Sequence, residues 1–469
     1  MDIEALFRQA ADEAARFRNS VSDRLHRPGE DYPAALHAFD EPLPETNSEP
    51  RAVIEALVAQ ADSGLNLMTG PRFFGWVIGG SHPVGVAADM LTSAWGQNAG
   101  NHSAAPAASA AEAISARWLL ELLDLPRESS VGFVTGATVA NFTCLAAARG
   151  EVLRNKGWDV DAQGLFGAPP ITVVIGDDAH TTVFSALQFL GLGRDRVIRI
   201  DTDGEGRIRP DAFVTALATI DGPAIAILQA GQINTGAFDD FAELIPAAKA
   251  KGAWVHVDGA FGLWARACPD KRPLAAAVDL ADSWATDGHK WLQTPYDCGY
   301  AIVRDELAHR RAMTIAASYL PLAQAGERDP SHYVPELSRR ARGFATWAMI
   351  KHLGRSGIAE LVARNCHAAC EIARMVAARK GIRVLNTVQL NQAIVQFGDG
   401  LDPEVQDRMT QDVIATLQKE GQVFVGGAEW RGRQVMRISV SNYQTGEDQA
   451  EQAAEAILGA YARVSSGMA

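Results

Sequence analysis

Long apolar runs are missing from this 469-residue chain. No stretch reaches the length needed to cross a bilayer. The N-terminus, MDIEALFRQAADEAARFRNS, alternates charged and apolar residues at helical spacing and lacks the apolar core of a signal peptide. A soluble, cytoplasmic protein is expected. Cysteine is scarce as well. The five residues Cys144, Cys268, Cys298, Cys366 and Cys370 are odd in number and show no framework spacing. That argues against a disulfide-built scaffold and fits a reducing compartment. Cys366 and Cys370 share a helical face and read as packed thiols rather than metal ligands. Positive charge is in deficit, with 43 Lys and Arg against 56 Asp and Glu, a net of −13. Nucleic acid and anionic membranes are therefore disfavoured as main partners, although a local basic pocket for an anion remains possible. Internal repeats are absent, and the one biased segment is the alanine-rich HSAAPAASAAEA.

What is present is ordinary for a globular enzyme: 47% hydrophobic and 21% charged residues, over a length that suggests two or three packed units. Residues 1–85 read as a helical N-terminal extension, with helices near Asp2–Asn19 and Arg51–Asp62 and proline-rich loops between them. Over residues 86–343, short β-branched runs (ITVVIG, RVIRI, AIAILQ, AWVHVD, GYAIV) alternate with helical stretches. That pattern predicts an α/β domain with a mostly parallel sheet covered on both faces. Ligands of such sheets sit at the carboxyl ends of the strands. Residues 344–469 read as a smaller α+β domain, following a long helix that starts near Arg339.

Four places in the large domain could carry chemistry. In AWVHVDGAFG, His256 and Asp258 point to one face of a strand, and Asp258 ends it. A loop-capping carboxylate and a His-x-Asp metal pair are the competing accounts, but no further ligand cluster supports a metal. In ATDGHKWLQTPYDCG, Lys290 stands among Trp291, Leu292 and Pro295, where desolvation would favour the neutral, nucleophilic amine; a lysine that snorkels to solvent is the bland account. In GFVTGATVANFTCLAAAR, the small residues Gly136, Ala137 and Thr138 open a helix after a strand, leaving amides free for a phosphate. An ordinary threonine cap explains the same residues, and neither a Walker lysine nor a complete GxGxxG is present. In IGDDAHTTVF, His180 follows a strand, as a solvated loop histidine or a ring stacked on a flat ligand. A phosphate cradle, a flat-ring neighbour, a strand-end carboxylate and a desolvated lysine together point to pyridoxal 5′-phosphate.

HVDGAFG, DGHKWLQTPYDCG and TGATVAN, in this order and spacing, resemble the group II pyridoxal-phosphate decarboxylases, which include the aromatic amino-acid and glutamate decarboxylases. The resemblance runs from about Phe73 into the C-terminal domain. It implies a fold-type I architecture with a seven-stranded sheet, and decarboxylation of an L-amino acid in a homodimer whose active site lies at the subunit interface. It makes Lys290 the Schiff-base lysine, Asp258 the partner of the pyridine nitrogen, and His180 the stacking histidine. Gly136, Ala137 and Thr138 become the phosphate turn, His289 a phosphate-side histidine, and Ala260 the small residue against the ring. His256 would orient Asp258 from behind. Arg339, Arg340 and Arg342 match a basic run before the next helix, where solvated or capping arginines are an equal account. Relatives carry a tyrosine on a mobile loop as proton donor; within AASYLPLAQAGERDPSHYVPELSRRARG the candidates are Tyr333 and His332, and a surface tyrosine is the alternative. Departures occur at Gly288 (proline in relatives), Gly259 (alanine) and Gly231-Gln232-Ile233 (Gly-Thr-Thr). They leave open Cα–Cβ cleavage, transamination, decarboxylation-coupled aldehyde synthesis and a non-catalytic relative. Asn101 and His102 hint at a small or polar substrate.

Overall fold

The computed structural model describes residues 1–314 and 328–468; the first part of the loop segment that follows Thr314 lies outside them. The chain forms two compact units. One comprises Met1–Gly80, Glu371–Val384 and Val395–Ala469, and the other Ser81–Cys370 and Leu385–Ile394.

The Ser81–Cys370 unit is built on a seven-stranded sheet. In chain order its strands are β1 (Ser130–Val134), β2 (Thr172–Gly176), β3 (Ile198–Ile200), β4 (Ala224–Gln229), β5 (Trp254–Asp258), β6 (Ser283–Asp287) and β7 (Gly299–Val303). They lie in the order β1-β7-β6-β5-β4-β2-β3. β2 to β6 pair in parallel, whereas β7 runs antiparallel to both neighbours, β1 and β6. The β-branched runs are buried along nearly their whole length because helices cover the sheet, and no polar face is needed. Helix Ala137–Arg154 packs Ala140, Cys144, Leu145 and Ala148 into the core with Ile175, Ile227 and Ala285. Its small side chains let it lie close to the strands.

β5 and β6 both end in aspartate, Asp258 and Asp287, at the same edge of the sheet. Asp258 N-to-C neighbours are pinned across the strands: Gly259 N donates to Ala285 O at 2.9 Å and Asp287 N to Ala260 O at 3.0 Å. The expected long helix begins at Gly343, after the arginine run, and is broken at Gly354.

In the other unit, helices Ile3–Ser20 and Pro50–Ala61 stand close to their expected places, capped by Asp2 and Glu49. A short helix, Tyr32–Phe39, capped by Asp31, occurs where proline suggested only loop; proline at a first turn is helix-compatible. A second sheet contains β8 (Ile382–Val384), β9 (Gln392–Phe397), β10 (Gly426–Trp430) and β11 (Arg433–Ser439), in the order β10-β11-β9-β8. All five cysteines are free; Cys366 is buried while Cys370 is exposed, so the shared face is only half packed. Among the described residues no helix is long and apolar enough to cross a membrane.

Candidate active site

A cavity of about 340 Å³ opens at the carboxyl end of the large sheet. Gly136, Ala137, Thr138, His180, Asp258, Ala260, His289 and Lys290 all line it. Residues from four separate sequence stretches are thus brought together by the strand order.

Lys290 sits in a turn that is closed by backbone bonds. Gly288 N and His289 N both donate to Cys298 O, at 3.0 and 3.2 Å, and Thr294 N donates to Gly288 O at 3.2 Å. Trp291 and Leu292 anchor the turn as fully buried side chains. The amine does not stand in a purely apolar setting, as the sequence suggested. Its Nζ lies 2.7 Å from Oδ2 of Asp287. That aspartate was passed over in the sequence. Its Oδ1 accepts from Ala137 N at 2.7 Å, and its carbonyl accepts from Trp264 Nε1 at 2.9 Å. The available signal was a second strand ending in aspartate, three residues before the lysine.

Asp258 is buried, and burial pushes its carboxyl up to about 6, with the nearby Lys290 acting in the opposite direction. His256 is fully buried and held down at about 3 by burial, hence neutral. It does not bond Asp258. Its ring nitrogens meet Ser283 Oγ and Asn141 Oδ1, each at 2.9 Å. Asn141, on helix Ala137–Arg154, interacts in turn with Asp258 and favours its charged form. His256 thus holds Asn141 rather than Asp258 itself.

His180 caps helix Thr181–Phe189, its Nδ1 accepting from Thr182 N at 3.3 Å and meeting Thr182 Oγ1 at 2.8 Å. This fixes the ring at the cavity wall. His289 accepts from Cys298 N through Nδ1 at 3.2 Å and stacks on Tyr296 with ring centres 4.3 Å apart; burial lowers its pKa.

The departures from the family pattern have local explanations. A Cβ on Gly288 would meet the Tyr300 hydroxyl at 2.5 Å, and one on Gly259 would meet Leu263 Cβ at 2.7 Å. Larger neighbours occupy the space that a proline or alanine would take. Gln232 turns away from the cavity: Oε1 accepts from Asn234 N at 2.5 Å and Thr235 N at 3.0 Å, and Nε2 donates to Asp178 O at 3.3 Å. Ile233 faces the cavity instead, as an apolar wall.

Tyr333 and His332 are not brought to this cavity. Tyr333 is buried, its hydroxyl donates to Glu306, and Arg328 lies 3.9 Å over its ring. His332 lies beside Asp329 and Arg310. Within the arginine run Arg339 and Arg342 are buried, whereas Arg340 stays partly solvated. Arg339 Nη2 donates to both carboxylate oxygens of buried Glu112 at 2.7 Å, Arg340 pairs with Asp89 and Arg342 with Asp297. His102 holds Asp329 through Nδ1 at 2.7 Å. Among the described residues, no group of three or more His, Cys, Asp or Glu is arranged to hold a metal ion.

The pyridoxal-dependent decarboxylase conserved domain, as a sequence model, matches residues 33–397. The chain belongs to the pyridoxal-dependent decarboxylase family. Pyridoxal 5′-phosphate is accordingly its cofactor, and the protein is an enzyme. Among relatives, the aromatic-L-amino-acid decarboxylase of Bacillus atrophaeus is 25% identical over 86% of this chain and 84% of its own length. The phenylacetaldehyde synthase of Arabidopsis thaliana is 24% identical over 87% and 85%. The crystal structure of Oryza sativa TDC with PLP and tryptamine superposes with a TM-score of 0.91 at 22% identity, covering 98% of both chains, which shows that the fold is shared.

The cavity fits the family's cofactor. No side chain of its own N-cap closes the start of helix Ala137–Arg154, whose first-turn amides have no intrahelical partners. Gly136 is a cradle that a side chain would fill, since a Cβ there would meet His289 Cε1 at 3.0 Å and Asp287 Oδ1 at 3.3 Å. The Thr138 hydroxyl and the amides as donors, the Lys290 amine and the Asp258 carboxylate as acceptor are the groups that a phosphorylated pyridine aldehyde needs. Asp287, whose Oδ1 accepts from Ala137 N, brings a group of the phosphate's own sign to the start of that helix.

Proposed function

We propose that the protein removes the carboxylate of an L-amino acid as carbon dioxide and releases the corresponding amine, with Lys290 as covalent anchor of the cofactor. The observation that carries this reading is the convergence of Lys290, Asp258, His180 and the Gly136–Thr138 turn on one cavity at the strand ends. When bound, pyridoxal phosphate supplies an electron sink for the pair released as a bond to Cα breaks.

The residues divide the remaining work. The amides of residues 136–138 and the Thr138 hydroxyl would hold the phosphate. Asp258, titrating near 6 without the cofactor, is mostly ionised at neutral pH and accepts a proton-bearing ring nitrogen. Such a partner would favour its charged form further. Ala260, with the smallest side chain that has a Cβ, leaves room for a flat ring, and His180 lines the same cavity. Lys290 would hold the cofactor covalently, in the place that a substrate amine would take. A proton then replaces the carboxylate on Cα.

A panel of L-amino acids assayed for carbon dioxide release, with the amine quantified, tests the proposal. Lys290→Ala should abolish both the visible absorbance of lysine-bound cofactor and turnover. Stoichiometric amine and carbon dioxide support it; wild-type protein that releases no carbon dioxide from any amino acid sinks it. One second reading follows the Arabidopsis relative, whose name describes an aldehyde product for that protein: here the released product would be an aldehyde, formed with oxygen uptake. Oxygen consumption that matches carbon dioxide release would establish it. We also infer a homodimer, because Leu91, Trp95 and Trp347 leave an apolar surface open to solvent.

A further inference from the structure

Asp287 occupies a position that the phosphate turn reserves for an anion. It ends β6, is 2% exposed, and spans two groups: Ala137 N on Oδ1 and Lys290 Nζ on Oδ2, both at 2.7 Å. His289 Nε2 lies 3.6 Å from Oδ1. Ala137 is the first residue of helix Ala137–Arg154, whose amide end attracts negative charge. The carboxylate satisfies that end for the same physical reason that a phosphate would. Its location is tightly fixed, because Gly136 and Gly299 approach it so closely that a Cβ on either would lie 3.3 or 3.0 Å from Oδ1.

A phosphate arriving at the Gly136–Thr138 turn therefore meets a fixed negative charge already bonded to the amide it needs. Like charges brought together in a desolvated site are mutually destabilising. We propose that Asp287 is a built-in competitor of the cofactor's phosphate for the amino end of helix Ala137–Arg154, and that it holds Lys290 in an ion pair until the cofactor displaces that arrangement. Asp287 is thus a positioning residue that sets how tightly this protein holds its cofactor. The inference rests on the reading of residues 136–138 as the phosphate turn.

The test uses ligands that lack the aldehyde, so that the amine of Lys290 takes no covalent part. Asp287→Asn keeps the shape and the oxygen that accepts from Ala137 but removes the charge. Calorimetric titration of full-length wild type and variant with deoxypyridoxine 5′-phosphate should show about tenfold tighter binding to the variant, the scale expected from relieving one like-charge contact. Deoxypyridoxine without the phosphate should change by less than about twofold, since it brings no competing anion. Equal or weaker binding of the phosphorylated ligand to the variant overturns the proposal, and so does an equal gain for both ligands. Failure of the underlying reading looks different: neither protein then binds the phosphorylated ligand better than the unphosphorylated one. Thermal melting verifies that the variant is folded, and Asp287→Ser, smaller and neutral, should repeat the gain if the asparagine does not fold.

Discussion

The Asp258 carboxyl, raised to about 6 from an ordinary 3.8, ties stability to pH in the cofactor-free protein. The folded state binds this proton more tightly than the unfolded chain does. The stabilisation is complete below about pH 4 and is lost as pH rises through about 6. Asp258→Asn removes that loss, so the variant should exceed wild type by about 3 kcal/mol at pH 8 and by much less near pH 4. Urea unfolding at the two pH values measures it, and a pH-independent difference would refute the assignment. Tyr333 offers a second check at this scale. Because its hydroxyl is engaged by Glu306, Tyr333→Phe should cost about 1 kcal/mol of stability and leave the ratio of amine to carbon dioxide unchanged. A shift of that ratio toward aldehyde would instead mark the hydroxyl as the proton donor. Lys290, Asp258 and the Gly136 turn were legible in sequence because each stands beside a strand end or a helix start, which local pattern reveals. Asp287, Asn141 and the inward turn of Gln232 were not, since their meaning lies in partners between 2 and 150 positions away, set by strand order and loop closure.

Between elements, β7 and the turn at Gly136 are closely fitted. A Cβ on Gly299 would meet Gly136 Cα at 2.5 Å and Gly136 C at 2.8 Å, both backbone atoms that cannot rotate away. Gly299→Ala should cost about 1–3 kcal/mol and weaken cofactor binding together. Gly150→Ala, inside helix Ala137–Arg154 with nothing near its would-be Cβ, should be neutral or stabilise by up to about 1 kcal/mol. Thermal melts and cofactor titration of the two variants make the comparison; equal effects would deny that the turn and the strand are fitted to each other. The parallel sheet was readable from apolar runs separated by helices. The reversed direction of β7 was not, because a strand buried along its whole length has the same pattern in either direction.

On the scale of the molecule, the acidic net charge disfavours nucleic acid and anionic membranes as partners, a bulk property legible in sequence, whereas the open apolar groove around Leu91 and Trp95 became visible only with the helices in place. Leu91 is half exposed, and Leu91→Glu should convert the inferred dimer to monomer in sedimentation without unfolding it. A monomeric wild type would dispose of that inference. The loop at Gly231 separates two duties that a single residue often combines. Gln232 ties the loop to itself and to Asp178, so its shape does not depend on the neighbouring side chain that faces the cavity. Position 233 is consequently a natural handle for engineering: exchanging Ile233 for valine, serine or threonine offers a way to redirect substrate choice while the scaffold beneath it stays as built.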